Sequence, residues 1–449
     1  MAIKPVQLRS PSSGGGDWEL AASRYMMGAH VCQCVGDRIW GLFLPLYLAE
    51  LSPDSVAPVA VIEVARHLAG MLFSTSVADA CERRGARTVL WLLLLCENAG
   101  VLLGAFCSTA AGGAFLSKPV FWLSAACFGV DAVCSDALRT LVGKVSVRAL
   151  TGAVGGSKQA KGLLATTNAA LVRLDMVVAL ATPVVVGACA SKLGNVGAAK
   201  AFALLHVLGC FGVLGCAARF HATLDDHGKK LDDKPAAPAR TPSGSAILGA
   251  KETLKRLSPF ARGTMDCYCL LYFTVLSPHG VTIAWLRGVR RMDATLIGAF
   301  QTAAQAAGLA ATYATPKLIA ALGLPGAARG SNALQLGANA LGVAALVSGR
   351  SAVFLGSLVV SRLGLWAFDL VEREVLQTAA SGDDACLALF AEQNKRTSAA
   401  SLLMFGASAV FSGAATFPYL IAASLANLFV ASFLLNRGIA APAKGEKRD

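Results

Sequence analysis

Long apolar stretches, each broken by only a few charged or polar positions, recur along the whole chain. A helix needs about 20 predominantly apolar residues to cross a bilayer, and on that rule the sequence predicts twelve membrane-spanning helices. Their predicted centres lie near Leu42, His67, Leu94, Gly129, Val178, Val207, Thr274, Ala304, Gly337, Val360, Gly406 and Asn427. The tenth span is short, and the eleventh and twelfth share the turn around Pro418, so eleven and thirteen spans are the alternatives.

The composition agrees with a chain that lies in lipid. Hydrophobic residues make up 55% of it and charged residues 15%, whereas soluble domains carry about 25% charged residues. The formal net charge of +13 is explained by basic loops on one side of a membrane and does not indicate a nucleic-acid partner. We therefore predict an all-α, multi-pass integral membrane protein.

The distribution of lysine and arginine predicts the orientation, because basic loops stay on the cytoplasmic side. The loop at 51–58 has no base, whereas the loops after the second, fourth and sixth spans and the C-terminal tail are basic. Both termini are thus expected in the cytoplasm, in the plasma membrane or, as the alternative, an organelle membrane. Three arginines after the seventh span do not fit this pattern: Arg287, Arg290 and Arg291.

A charged segment rich in Pro, Ser and Gly divides the chain into two halves and is typical of a linker. The predicted organisation is a flexible tail at 1–20, an N-lobe of six helices at 21–220, a cytoplasmic linker at 221–258, a C-lobe of six helices at 259–437 and a basic tail at 438–449. Two six-helix lobes joined by a cytoplasmic loop resemble the major facilitator superfamily, whose halves rock about a central site.

Ionisable residues inside the predicted spans are the candidates for function, since each costs about 2.5–3.5 kcal/mol on insertion scales. Asp37 follows Gly36 in the first span and is the first candidate for the group that holds a substrate. Arginines in the spans are expected to pair with acids, because a guanidinium binds carboxylate well and a cation poorly. Further candidates are Glu63, Arg66, His67, Glu97, Asn98, Asp131, Asp136, Asn168, Arg173, Asp175, His206, His279, Arg362 and Asp369.

Two histidines add possible metal ligands, His206 in the sixth span and His279 in the seventh. Carboxylate with imidazole suits a borderline divalent transition metal, although a lone membrane histidine is more often a hydrogen-bonding residue between helices. The segment Ser277–Gly280 interrupts the seventh span, because proline removes a backbone donor. Broken membrane helices line cavities and indicate binding sites.

Four segments together resemble the ferroportin family. The sequence GDRIW at 36–40 is similar to the family's GDRMW, and SRLGLWAFDL at 361–370 is similar to its ARIGLWSFDL. Residues 168–175 resemble its NATIRRID segment, and LYFTVL at 271–276 resembles the LYMTVL that precedes its broken seventh helix. The matches occur in order and in both lobes.

The resemblance implies export of divalent metal, chiefly ferrous iron, from the cytosol, coupled to protons that move the other way. Asp37 matches the family's N-lobe metal-site aspartate, Glu97 takes the place of a glutamine there, and His206 that of an asparagine. In the C-lobe, the family's Asp-Cys pair falls on His279 and Gly280, so the thiolate of the vertebrate proteins, and peptide control through it, are not expected here.

The family's eleventh-span histidine falls on Met404, which completes the expected metal ligands Asp37, Glu97, His206, His279 and Met404. Gating or ion-pair roles are expected, with the pairing left open, for Arg38, Asn168, Arg173, Asp175, Arg362 and Asp369. Expected partners are Fe²⁺, Co²⁺, Mn²⁺ or Zn²⁺ as transported substrate, protons and the lipid bilayer, with no permanently bound cofactor and a monomeric chain.

Alternatives remain open at this point. The same fold is compatible with a metal chelate or a small organic cation as substrate, or with a receptor or scaffold that transports nothing. An enzyme is not expected, because the sequence contains no nucleophile motif, P-loop or H-E-x-x-H.

Overall fold

The structure, a computed structural model, describes residues 16–84, 86–111, 117–139, 141–142, 150, 157–226, 257–379 and 383–441. This part of the chain is almost entirely helical, as predicted. Its helices are α1 (Gly16–Leu51), α2 (Ala57–Arg84), α3 (Ala86–Ala111), α4 (Pro119–Arg139), α5 (Ser157–Asp226), α6 (Pro259–Leu270), α7 (Gly280–Ala284), α8 (Ala294–Val347), α9 (Ser351–Ala379), α10 (Asp383–Val410) and α11 (Phe417–Ala440).

The two longest segments are each two helices that meet at a glycine. Gly194 in α5 has a φ of 65° and Gly323 in α8 a φ of 66°, in the left-handed region that glycine adopts without steric cost. Each glycine marks a kink at which one segment passes from a first helix into a second.

Within the described residues, five helical segments are long and apolar enough to cross a membrane by length and composition alone. They are Val89–Ala110, Pro119–Arg139, Arg173–Asp226, Ser351–Ala379 and Phe417–Ala440. Among the remaining helices, α1, α2 and α10 carry acids, bases and amides along their length, which lowers their hydropathy.

Some element ends differ from the predicted lobe boundaries. Helix α1 begins at Gly16, inside the expected N-terminal tail, α5 continues to Asp226, and α11 continues to Ala440. The central part of the expected linker, 227–256, and most of the basic loop residues used to predict the orientation lie outside the described residues.

The seventh predicted span is interrupted, as its proline and glycine indicated. Residues 271–279 separate α6 from the short α7, which continues as a π-helical turn over Trp285–Val289. The α11 side chain Asn427 donates hydrogen bonds to the carbonyls of Leu270 (2.7 Å) and Phe273 (3.0 Å). Ser424 accepts one from the N–H of Val275 at 2.9 Å. These bonds satisfy backbone groups that the break leaves unpaired.

At one end of the molecule the two halves are joined by ion pairs. Arg287 binds Glu50 through Nε at 3.0 Å, and Arg291 lies 3.3 Å from Asp54. A backbone bridge pairs Ser55 with Gly413. These contacts give two of the three exceptional arginines a structural role between the halves.

Close to these ion pairs, α5 and α8 approach each other backbone to backbone. A Cβ atom on Gly298 would overlap the carbonyl oxygen of Pro183, and one on Gly187 would lie 2.6 Å from the carbonyl oxygen of Ala294. Ser191 donates a hydrogen bond to Asp293 at 3.3 Å across the same crossing. Only glycine permits so close an approach.

Candidate metal-binding site

A cavity of about 400 Å³ lies between the two halves and is lined by six of the ionisable candidates. It opens next to the break in the seventh span, where Gln301 of α8 donates a hydrogen bond to the carbonyl of Pro278 at 2.8 Å. The charged and polar side chains that line it are Asp37, Arg38, Glu63, Arg66, His67, Ser135, Arg139, Thr182, His279, Gln301 and Gln305.

Asp37 on α1 is held by two residues of α4. Its carboxylate accepts hydrogen bonds from Ser135 Oγ at 2.7 Å and Arg139 Nη2 at 2.9 Å. Ser135 and Arg139 lie one helical turn apart and therefore face the same way. The sequence interpretation missed both, although their i,i+4 spacing on a helix was available as a signal.

Glu97 on α3 is connected to Asp37 through an amide. Gln33 Nε2 lies 2.6 Å from Glu97 Oε1 and 3.4 Å from Asp37 Oδ1. Gln33 is one turn before Asp37 on α1, and Glu97 is only 1% exposed. One donor therefore contacts both acids, which puts the two expected ligands in the same polar cluster.

His206 approaches this cluster from the second half of α5. Neither ring nitrogen of this buried side chain has a hydrogen-bond partner, and a Cβ on Gly36 would lie 2.6 Å from its Nδ1. The imidazole thus packs against α1 directly before Asp37. Within the described residues, no three side chains of His, Cys, Asp and Glu are close enough together to hold a metal ion.

His279 and Met404, the expected C-lobe ligands, line a second cavity of about 360 Å³. His279 Nε2 lies 2.8 Å from the carbonyl oxygen of Thr274, and its Nδ1 is buried without a partner. Met404 on α10 is buried and accepts a hydrogen bond through its sulfur from Ser408 at 3.6 Å. The ring of Phe405 contacts His279, with centroids 5.7 Å apart, and borders both cavities.

The expected gating residues of the N-terminal half are partly joined. Arg38 on α1 binds Asp175 on α5 at 2.8 Å, which resolves one pairing that the sequence left open. Arg173 is exposed and has no ion-pair partner within the described part of the chain. The side chain of Asn168 lies outside the described residues.

In the C-terminal half, Arg362 and Asp369 have separate partners. Arg362 donates to Ser277 Oγ at 3.1 Å and lies over the ring of Trp366, 5.8 Å from its centroid. Asp369 binds Arg373 at 3.0 Å and accepts a hydrogen bond from Tyr268. Arg362 is therefore attached to the broken segment next to His279, while Asp369 joins α9 to α6.

The site is suited to binding a cation. Carboxylates and neutral imidazoles are ligands for borderline divalent metals, and the cavity brings such groups from both halves to one place. Both ring nitrogens of His206 and Nδ1 of His279 are buried without a hydrogen-bond partner among the described residues, and each could bind a metal ion.

The fold is shared with solved transporter structures. A bacterial homologue of the iron transporter ferroportin in an inward-facing state superposes with a TM-score of 0.76 at 20% identity, covering 94% of this chain and 99% of that one. The outward-facing state of such a bacterial homologue gives 0.58 at 20% identity, covering 94% and 100%. At these identities the likeness establishes the fold, which is that of solved membrane transporters.

Sequence comparison specifies the family. The family model described as Ferroportin1 (FPN1) matches residues 21–217 and 264–428, and the chain belongs to the ferroportin family. A segment of 169 residues, 37% of this chain, is 33% identical to ferreportin of Bdellovibrio bacteriovorus and spans 38% of that protein's length. The resemblance carried by the four sequence segments is thereby confirmed.

Proposed function

We propose that this protein exports a divalent transition metal ion, ferrous iron foremost, from the cytosol by proton-coupled alternating access. The observation that carries the proposal is Asp37: a partly buried carboxylate in a polar cluster that borders a cavity between the two halves. The family membership supports metal as the class of substrate.

The membrane topology we propose is twelve crossings in two groups of six. The helices that meet at Gly194 and Gly323 count as two crossings each, and α6 with α7 counts as one broken crossing. With the other seven helices this makes six crossings before the linker and six after it. Both termini are then on the same side, the cytoplasm by the charge distribution.

The conformation described here is best interpreted as inward-facing. The contacts of Glu50 with Arg287 and of Asp54 with Arg291 close the end that carries the base-free loop at 51–58. The higher TM-score to the inward-facing neighbour than to the outward-facing one points the same way.

In the transport cycle we propose, metal enters from the cytosol and replaces Arg139 as the partner of Asp37. Glu97 and His206 supply further ligands from α3 and α5, and His279 with Met404 from the other half. Rocking of the halves then opens the opposite end. Protons taken up by the carboxylates and imidazoles favour release, because only their deprotonated forms bind metal.

Reconstituted protein tests the proposal. Uptake of Fe²⁺, Co²⁺ and Mn²⁺ into proteoliposomes is measured with and without an imposed pH gradient, and we expect metal flux that the gradient accelerates. If folded wild-type protein carries none of these ions, the metal proposal fails, and a metal chelate or small organic cation becomes the substrate to test. Metal flux that ignores the gradient would remove the proton coupling alone.

Arg139→Gln is expected to increase the affinity for Co²⁺ about tenfold. The variant removes the guanidinium that binds Asp37 at 2.9 Å, and because Arg139 is half exposed, loss of its ion pair costs the fold little. Calorimetric titration of the full-length protein in detergent measures the change. Arg38→Gln is the matched control, because Arg38 binds Asp175 instead; an equal gain in both variants would show a general charge effect.

A further inference from the structure

Three ionisable residues of α2 line the central cavity and have no part in the cycle described so far: Glu63, Arg66 and His67. Glu63 and His67 are one helical turn apart and therefore lie on the same face of α2. Both border the cavity that also contains Asp37 and His279. A carboxylate and an imidazole within a membrane-spanning helix cost free energy, and such residues are usually retained because they bind a ligand or line a transport pathway.

Glu63 has a weakly held carboxylate next to the other half of the protein. Within the described chain its ion-pair partner is Arg66, at the long distance of 3.9 Å. A Cβ atom on Gly280 would lie 3.3 Å from Glu63 Oε1. The carboxylate thus approaches the backbone directly after His279, where the absence of a side chain leaves it room.

The hydrogen bond of His279 determines which of its nitrogens is available. A carbonyl oxygen can only accept, so the contact between His279 Nε2 and the carbonyl of Thr274, at 2.8 Å, places the proton on Nε2. In the neutral ring Nδ1 then keeps its lone pair. That atom is buried without a partner, as expected for a metal ligand oriented through its other nitrogen.

The rings of His67 and His279 both contact the side chain of Phe405. The ring of His67 stacks on Phe405 with centroids 5.2 Å apart and an interplanar angle of 24°, and the ring of His279 contacts Phe405 at 5.7 Å. Two imidazoles from different halves are thus arranged around one phenyl ring, with Glu63 on the same cavity wall as His67.

We propose that Glu63, His67 and His279 form a second site for a divalent transition-metal ion, shared between the two halves. The site rests on the proposed function and adds two ligands from α2 to it. One carboxylate and two imidazoles suit Fe²⁺ and Co²⁺. The three side chains do not surround a metal in the conformation described, and the ligand set closes when Phe405 swings away as the halves rock.

The position of this site gives the metal a route between the halves. An ion leaving Asp37 meets Glu63 and His67 on the same cavity wall, and then His279, which also borders the cavity of Met404. At the shared site, the transported metal ion therefore contacts both halves at once.

Co²⁺ titration of the full-length protein in detergent tests the site, with the visible absorption of bound Co²⁺ as a second readout. In an Asp37→Asn background, which removes the charge of the first site, we expect one bound Co²⁺ to remain. Adding Glu63→Gln, His67→Ala or His279→Ala is expected to weaken this binding by at least about tenfold and to change the spectrum. Glutamine has nearly the same shape as glutamate, so weaker Co²⁺ binding by Glu63→Gln would reflect the lost charge and not misfolding.

His221→Ala provides the matched control, because His221 packs against Phe220 near the end of α5, outside both cavities. Phe405→Ala is expected to strengthen the remaining binding, since no ring has to be displaced. The second site is ruled out if the Glu63 and His67 variants bind the remaining Co²⁺ as tightly as the Asp37→Asn background does. In that case, metal flux that depends on Asp37 would leave the proposed function intact. Absence of Co²⁺ binding and of metal flux in wild type would overturn both.

Discussion

Replacing Asp37 with alanine is expected to lower metal flux by about 100-fold or more, the upper end of what the loss of a supporting residue costs a metal site. The variant removes the carboxylate on which Ser135, Arg139 and Gln33 converge. It also leaves a positive guanidinium in the cavity, which repels a cation. Initial rates of Co²⁺ uptake into proteoliposomes, normalised to the amount of folded protein, measure the effect.

Asp37→Asn separates loss of charge from loss of packing. Asparagine retains an acceptor for Ser135 and nearly the same volume, so the fold is expected to keep its thermal denaturation temperature while flux falls almost as far as in the alanine variant. Arg139 is half exposed, so its lost partner is replaced by water. Flux close to the wild-type rate in Asp37→Asn would remove Asp37 from the metal pathway.

Gly298→Val is expected to reduce flux by shifting the protein away from the inward-facing state. The new side chain would overlap the carbonyl of Pro183, so α5 and α8 have to separate at their crossing. Overpacking costs about 1–3 kcal/mol, which corresponds to a roughly 5- to 150-fold change in an equilibrium between two states.

Labelling of an introduced cysteine reports on the separation. Ser191 lies across the same crossing, and in a Ser191→Cys background we expect Gly298→Val to accelerate reaction with a water-soluble maleimide, above the signal of the native cysteines. Gly330→Val, in the second helix of α8, is the control, because a Cβ there meets nothing within 4 Å. Equal labelling in both variants would show that the crossing does not govern access.

Much of the architecture could be predicted because a membrane limits the solutions available to the chain. Apolar segments have to be helices, and a proline with a glycine interrupts one of them, so the broken seventh span was predicted and is confirmed over 271–279. Asp37 could be selected as a candidate because a charged side chain in a bilayer costs free energy and is usually retained for a function. Its motif also indicated the family, which the family match confirms.

The partners of these residues could not be predicted, because they depend on which helices face each other. Arg38 and Asp175 were both candidates, yet their pairing required the contact between α1 and α5. Arg139 went unrecognised as the partner of Asp37 because helical spacing shows which residues share a face and not what that face meets. Gln33 escaped notice because an uncharged amide gives little signal in an apolar span.

The pair formed by Asp37 and Arg139 has a consequence for the membrane voltage. Without a metal ion or a proton this pair carries no net charge, so in the proposed cycle the charge that this position moves on the return step is only that of the coupled protons. Loaded with a divalent ion, the same position gains two positive charges. Each charge moved through the full field costs or gains about 2.3 kcal/mol per 100 mV, so in a cell that is negative inside, the proposed export of the ion proceeds against the potential. The loaded step, and not the empty return, is then the one that the membrane potential slows.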